Sequence, residues 1–183
     1  MEREKLIVRL NEGNRRYLKG ESFGDVSAAV RQETAEHGQH PGAIVIACSD
    51  SRVIPEAVFS AGIGELFVIR VAGNVLDNHQ LGSIEYAAAH LHCPLILVLG
   101  HTGCGAVSAA LGGGGEGYIQ YITDEILLAV GEERDPEKAC RMNVRHAVEV
   151  IKHAFRDHPE IPSAGLEIRG AVYDIRTGTV DWI

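Results

Sequence analysis

Five side chains able to do chemistry stand at two places in the chain. Cys48, Asp50 and Arg52 occupy alternate positions of Cys-Ser-Asp-Ser-Arg, and His101 and Cys104 lie three apart in His-Thr-Gly-Cys-Gly. Two thiolates and one imidazole suit tetrahedral Zn²⁺, and three protein ligands leave the open position expected of a catalytic site. A structural zinc would need a fourth ligand. The remaining cysteines are poor candidates: Cys93 falls at the opposite end of a strand and Cys140 in a helix, both expected to be plain buried thiols. Asp50 and Arg52 add a second capability. A guanidinium beside a carboxylate keeps it ionised and fixes its orientation through charge-assisted bonds, which holds Asp50 off the metal and aims it at a water. Residue types alone also allow blander readings, with core cysteines, a His101 satisfied by backbone and an exposed ion pair of little worth. A phosphatase-like cysteine loop fits less well. Too few residues separate Cys48 from Arg52 for several amide donors, and Asp50 would repel the anion.

These groups need elements that bring them together. Ala43–Ala47 (AIVIA) is a continuous apolar run, the signature of a strand buried on both faces of a parallel sheet. Cys48 follows at its carboxyl end, where open α/β sheets place their ligand sites. Leu95–Leu99 repeats the grammar ahead of His101, and Leu66–Arg70 is a further strand. Helical spacing covers Glu2–Leu18, stopped by Gly20, and Ser27–Glu36, ended by Gly38 and Pro41. A short helix opens at Pro55, and Val71–Gln80 reads as loop. Further helices span Leu81–His92, Gly103–Leu111, Tyr118–Val130 and Pro136–Arg156, the last with a core stripe of Val144, Ala147, Val148, Ile151 and Phe155. The glycine run 112–115 follows a helix and has no lysine near it, so it reads as a connection rather than a phosphate cradle. The tail forms a strand pair around Arg176-Thr177-Gly178. Strands alternating with helices imply an α/β fold. The expectation is a mostly parallel central sheet of four to five strands flanked by helices, with the N-terminal helix packing outside the sheet, on this subunit or another.

The 183 residues, 45% of them apolar, suffice for one domain over residues 1–183. A net charge of −8 argues against a nucleic-acid surface. MEREKLIVRL lacks the apolar segment of a signal peptide, and no run has the roughly 18 apolar residues of a membrane span. A cytoplasmic protein is expected, and in a reducing compartment cysteines serve as ligands, nucleophiles or core residues more than as disulfides.

Taken together, Cys-Ser-Asp-Ser-Arg, HTGCGA, and the RVAGN and SIEYA segments between them closely resemble the β-class carbonic anhydrases. Gly13-Asn14-Arg15-Arg16-Tyr17 is similar to the family's N-terminal helix motif, and GAVYDIRTGTV to its closing strands. The resemblance implies zinc held by Cys48, His101 and Cys104, with Asp50 and Arg52 orienting water for the hydration of CO₂ to bicarbonate. It further implies Gln39 as a pocket glutamine, Phe67 and Tyr86 as apolar lining partly shared between subunits, and the Gly105 amide beside the substrate. A homodimer or larger homo-oligomer follows, with CO₂ and bicarbonate as small-molecule ligands and neither nucleic acid nor membrane as partner. On pattern alone Phe67 and Tyr86 would be ordinary core. Some bacterial members carry a tryptophan in a non-catalytic bicarbonate site where this chain has Val45. In some members the residue matching Asp50 replaces water as the fourth ligand once its arginine lets go. Two rival readings use the same site: hydrolysis of CS₂ or COS, and a non-catalytic zinc-binding assembly protein.

Overall fold

The computed structural model describes residues 3–21, 23–158, 161 and 166–183. Seven α-helices and five strands follow in the order α1 (Arg3–Leu18), α2 (Ala28–His37), β1 (Ala43–Ala47), α3 (Pro55–Val58), β2 (Leu66–Arg70), α4 (Asn78–Ala89), β3 (Leu95–His101), α5 (Gly105–Leu111), α6 (Ile119–Val130), α7 (Pro136–Ala154), β4 (Glu167–Tyr173) and β5 (Val180–Trp182). Glu2, where the sequence places the first helix start, lies outside the described residues.

The sheet runs β2-β1-β3-β4-β5. Its first four strands are parallel and β5 is antiparallel to β4. Alternate side chains of a strand point to opposite faces, and here both faces are covered. Ile44, Ile46, Ile96 and Val98 share a core with Ile84 of α4 and with Val144, Ala147 and Ile151 of α7. Ala43, Val45, Leu95, Leu97 and Leu99 join Leu6 and Leu10 of α1 with Val58 and Phe59. The apolar runs of β1 and β3 are continuous because neither has a wet side. Val45 is one such core residue, paired with Val68 and Leu97.

Helix α1 packs on its own chain's sheet. Asn14 Nδ2 donates to the carbonyls of Val58 and Gly178, and Trp182 Nε1 donates to Asn11 Oδ1. The approach is so close that a Cβ on Gly13 would stand 1.8 Å from the Phe59 carbonyl oxygen. Gly13→Ala should therefore cost about 2–3 kcal/mol as overpacking, read as a melting temperature lower by about 4–10 °C. An unchanged melting temperature would mean that α1 does not dock there.

Among the boundaries that differ from the sequence reading, three have a clear local reason. Helix α4 starts at Asn78, inside the segment read as loop, because Asp77 accepts from His79 and Gln80 amides while Gln80 returns a bond to the Asp77 amide. This polar capping box precedes the apolar spacing. Strand β3 continues through His101 because β4 keeps pairing with it, Gly100 to Val172 and His101 to Tyr173. Helix α5 begins at Gly105 rather than Gly103, which turns left-handed at φ 66° ahead of the capping residue Cys104. Among the described residues no helix is long and apolar enough to cross a membrane.

Candidate metal centre

Adjacent parallel strands end side by side, so the residues after β1 and at the end of β3 must meet. Ala47 pairs with Leu99, which sets Cys48 next to His101, and the Gly103 turn returns Cys104 to the same point. The ligand atoms of Cys48, His101 and Cys104 all lie within 4.8 Å of one another. Cys48 and Cys104 are each 4% exposed and His101 is 0% exposed.

The imidazole is oriented. His101 Nδ1 lies 3.0 Å from the Thr102 carbonyl oxygen, which can only accept, so a neutral ring carries its proton there. Nε2 then presents its lone pair to the two sulfurs and has no hydrogen-bond partner. A buried polar atom left unpaired is costly, and a cation at the centre of the three donors satisfies it. The thiols make the same point. A hydrogen bond from Cys104, together with His101 and the amides of Asp50 and Gly73, holds the Cys48 thiol well below its usual range against its burial, while contact with Cys48 and burial push Cys104 up. Two thiols in contact share one proton between them, and a divalent cation favours release of the second. Donor types, number and burial fit zinc with one position open.

Beside the cluster, Arg52 grips Asp50 bidentately, Nε to Oδ1 at 2.9 Å and Nη2 to Oδ2 at 2.7 Å. The Arg52 amide adds a bond to Oδ1 at 3.0 Å. Chiefly through these side-chain bonds, the carboxyl is held far below its ordinary value. Arg52 Nη2 also donates to the Gly103 carbonyl at 3.2 Å, tying the loop after β1 to the loop after β3. Asp50 Oδ2 stands 4.0 Å from His101 Nε2, so it faces the cluster while both its oxygens are engaged by arginine.

Four supporting residues were not singled out from sequence. Arg70 ends β2 and donates to the carbonyls of Cys48 at 3.1 Å and Asp50 at 2.7 Å, holding the loop from beneath. A charged residue closing an apolar strand, at the head of the RVAGN segment, is its signal. Thr102 fixes His101. Gly73 donates its N–H to the Cys48 sulfur and accepts at its carbonyl from Asn143; an Asn on the apolar face of α7 is the signal that could have found the latter. Cys140, expected as a plain buried thiol, donates instead to the His101 carbonyl at 3.1 Å, and Cys93 lies buried before β3.

The residues ascribed to the substrate pocket divide. Gly105 follows Cys104 directly, as the first residue of α5. Gln39, Phe67 and Tyr86 are not brought to the cluster within the chain. Phe67 pairs with Ile44, four residues before Cys48, which is roughly 13 Å of strand away. Tyr86 packs on Phe67 with ring centroids 6.3 Å apart, and Gln39 lies before β1. Tyr86 is 48% exposed, unlike the core placing that pattern alone suggests, while Phe67 is half-buried against the core.

Residues 43–180 match the family model described as carbonic anhydrase. The carbonic anhydrase of Mycolicibacterium smegmatis is 35% identical over 185 aligned positions, covering 94% of this chain and 89% of that protein. Among solved structures, a β-carbonic anhydrase of Aspergillus fumigatus superposes with a TM-score of 0.71 at 26% identity, over 85% of this chain and 84% of that one. One of two tetrameric β-carbonic anhydrases from Sordaria macrospora gives 0.60 at 27% identity, over 85% and 91%.

Proposed function

Because the chain belongs to the β-class carbonic anhydrases, a family whose general reaction is the reversible hydration of CO₂, we propose that it performs this reaction with zinc held by Cys48, His101 and Cys104. The observation that carries the reading is the buried, unpartnered Nε2 of His101 facing two thiols, with an ionised carboxylate fixed beside them. Zinc bound there would supply a Lewis acid able to lower the pKa of water from about 15.7 to roughly 7. The chain's own residues do the rest.

Asp50, ionised and therefore only an acceptor, takes a hydrogen bond from the water and turns its lone pair toward the incoming carbon. Arg52 keeps Asp50 in that role by occupying both carboxylate oxygens, which also stops the carboxylate from swinging in as a ligand. The Gly103 bond of the same guanidinium keeps the two loops from separating. Gly105 offers a backbone N–H beside the ligands for an oxygen of CO₂ or bicarbonate. Gln39, Phe67 and Tyr86 serve a neighbouring subunit's cluster: the two aromatics supply an apolar wall and Gln39 donates to the developing carboxylate. The distance along β1 supports this sharing, as does the exposure of Tyr86 where it packs on Phe67. We propose a homodimer or larger homo-oligomer on the same grounds, and a cytoplasmic location because thiol ligands persist in a reducing compartment.

Stopped-flow CO₂ hydration, with and without a chelator and then with zinc restored, tests the function. Activity that vanishes with the metal and returns with it is expected; folded, zinc-loaded protein working at the buffer rate would refute the proposal. Sedimentation tests the sharing. The chain weighs 19.7 kDa, and the native protein should sediment at twice that mass or more. Tyr86→Arg should weaken self-association about 30-fold, the effect of losing an aromatic hot spot, with activity falling in parallel. A fully active monomer would remove Gln39, Phe67 and Tyr86 from the pocket.

A further inference from the structure

Helix α7 carries two polar side chains on the face it turns to the metal centre, three residues apart. Cys140 Sγ donates to the His101 carbonyl at 3.1 Å. Asn143, 4% exposed, donates from Nδ2 to the Gly73 carbonyl at 2.8 Å. Gly73 in turn donates its N–H to Cys48 Sγ at 3.2 Å. The link between these two bonds is stiff, because Gly73 sits at φ 68°, ψ 11° in the short turn Ala72–Asn74, a conformation that glycine adopts without strain. A Cβ there would meet Ile126 Cδ1 at 2.9 Å and Ala106 Cβ at 3.1 Å. The peptide after Gly73 is held by Asn143, and the peptide before it is thereby turned toward the sulfur. A chain of two hydrogen bonds therefore runs from a buried amide on α7 to one of the thiols.

We propose that Asn143 is a positioning residue for the metal centre, holding Gly73 so that its N–H draws electron density from the Cys48 thiolate. The inference rests on the reading of Cys48 as a zinc ligand and goes beyond it. Two thiolates give a metal more negative charge than imidazoles do, which blunts its Lewis acidity. A hydrogen bond to sulfur offsets part of that donation, as partners behind the ligands commonly do. Asn143 also fixes where the sulfur stands, since the Gly73 amide it holds shares the sulfur with only one other backbone donor, the Asp50 amide at 3.4 Å.

Asn143→Leu keeps the volume and removes the donor. With cobalt(II) in place of zinc, the thiolate-to-metal charge-transfer band should move to longer wavelength, because a sulfur without its hydrogen bond is a stronger donor. Zinc affinity, measured by chelator competition, should fall about 10-fold or more. Val148→Ala, farther along the same helix in its apolar contact with the sheet, should lower stability while leaving the band in place. A folded Asn143→Leu protein with an unmoved band and unchanged affinity would overturn the proposal. Should that variant not fold, the native protein loaded with cadmium-113 carries the test: the Gly73 amide proton should show scalar coupling to the metal through Cys48 Sγ, and its absence would be equally decisive. Native cobalt protein without any thiolate charge-transfer band would instead remove Cys48 from the ligand set, a failure of the zinc reading itself.

Discussion

Cys48→Ser should leave the protein folded but without stoichiometric zinc, and CO₂ hydration should drop by about 10⁴-fold or more toward the uncatalysed rate. A serine hydroxyl stays protonated near neutral pH and is a poor ligand for a borderline-soft ion. The Asp50 and Gly73 amides that face the sulfur can accommodate an oxygen, so the loss falls on the metal more than on the loop. His101 and Cys104 alone offer two ligands where three are needed. Metal analysis of the purified variant and stopped-flow kinetics give the answer together. Full zinc content with full activity would mean that the ion sits elsewhere.

Asp50→Asn separates holding the metal from using it. The amide can still fill the space beside Arg52, but it is a weaker acceptor and no longer a charge. Zinc should stay bound while kcat/KM falls about 10²- to 10³-fold, the scale of a lost proton-handling group. Unchanged kinetics would reduce Asp50 to a loop-bracing residue. Arg52→Gln tests the other half of the pair. The folded-state carboxyl lies below its ordinary 3.8, so the pairing favours the fold at every pH above that value and fades only as pH falls toward the depressed one. Removing Arg52 lets the carboxyl titrate higher, and acid unfolding should begin at a higher pH than in the native protein. Arg52 is about half exposed, so the shift should be small and sensitive to salt. Identical acid-unfolding curves would show that the pair contributes nothing to the fold.

The strands that matter most were legible because their two-sided burial leaves continuous apolar runs. Ala43–Ala47, buried throughout, begins and ends where the residue types say it does, and so does the half-buried edge strand Leu66–Arg70. The grouping of Cys48, His101 and Cys104 was legible because they stand at the carboxyl ends of neighbouring strands, where open α/β sheets place their ligand sites. What escaped was set by partners distant in sequence or outside the chain. The end of β3 is decided by β4, some seventy residues on. Asn143 acts on Gly73 across a separation of 70 residues, so its helical spacing places it on the apolar face of α7 without naming its partner. Phe67 and Tyr86 look like core in the sequence because aromatic residues on a strand and a helix usually are. In the folded chain Tyr86 is exposed and Phe67 only half-buried, which no local pattern foretells.

The placing of Cys48 and Cys104 at the ends of different strands makes the donor set a property of the finished sheet. No segment shorter than the one from β1 to the start of α5 contains all three ligands, and they converge only after β1 and β3 have paired with an intervening strand and helix in place. An ion that binds this arrangement and not the unfolded chain stabilises it by mass action, about 4 kcal/mol when free metal exceeds the dissociation constant a thousandfold. Zinc supply would then govern how long the folded protein persists as well as how fast it works.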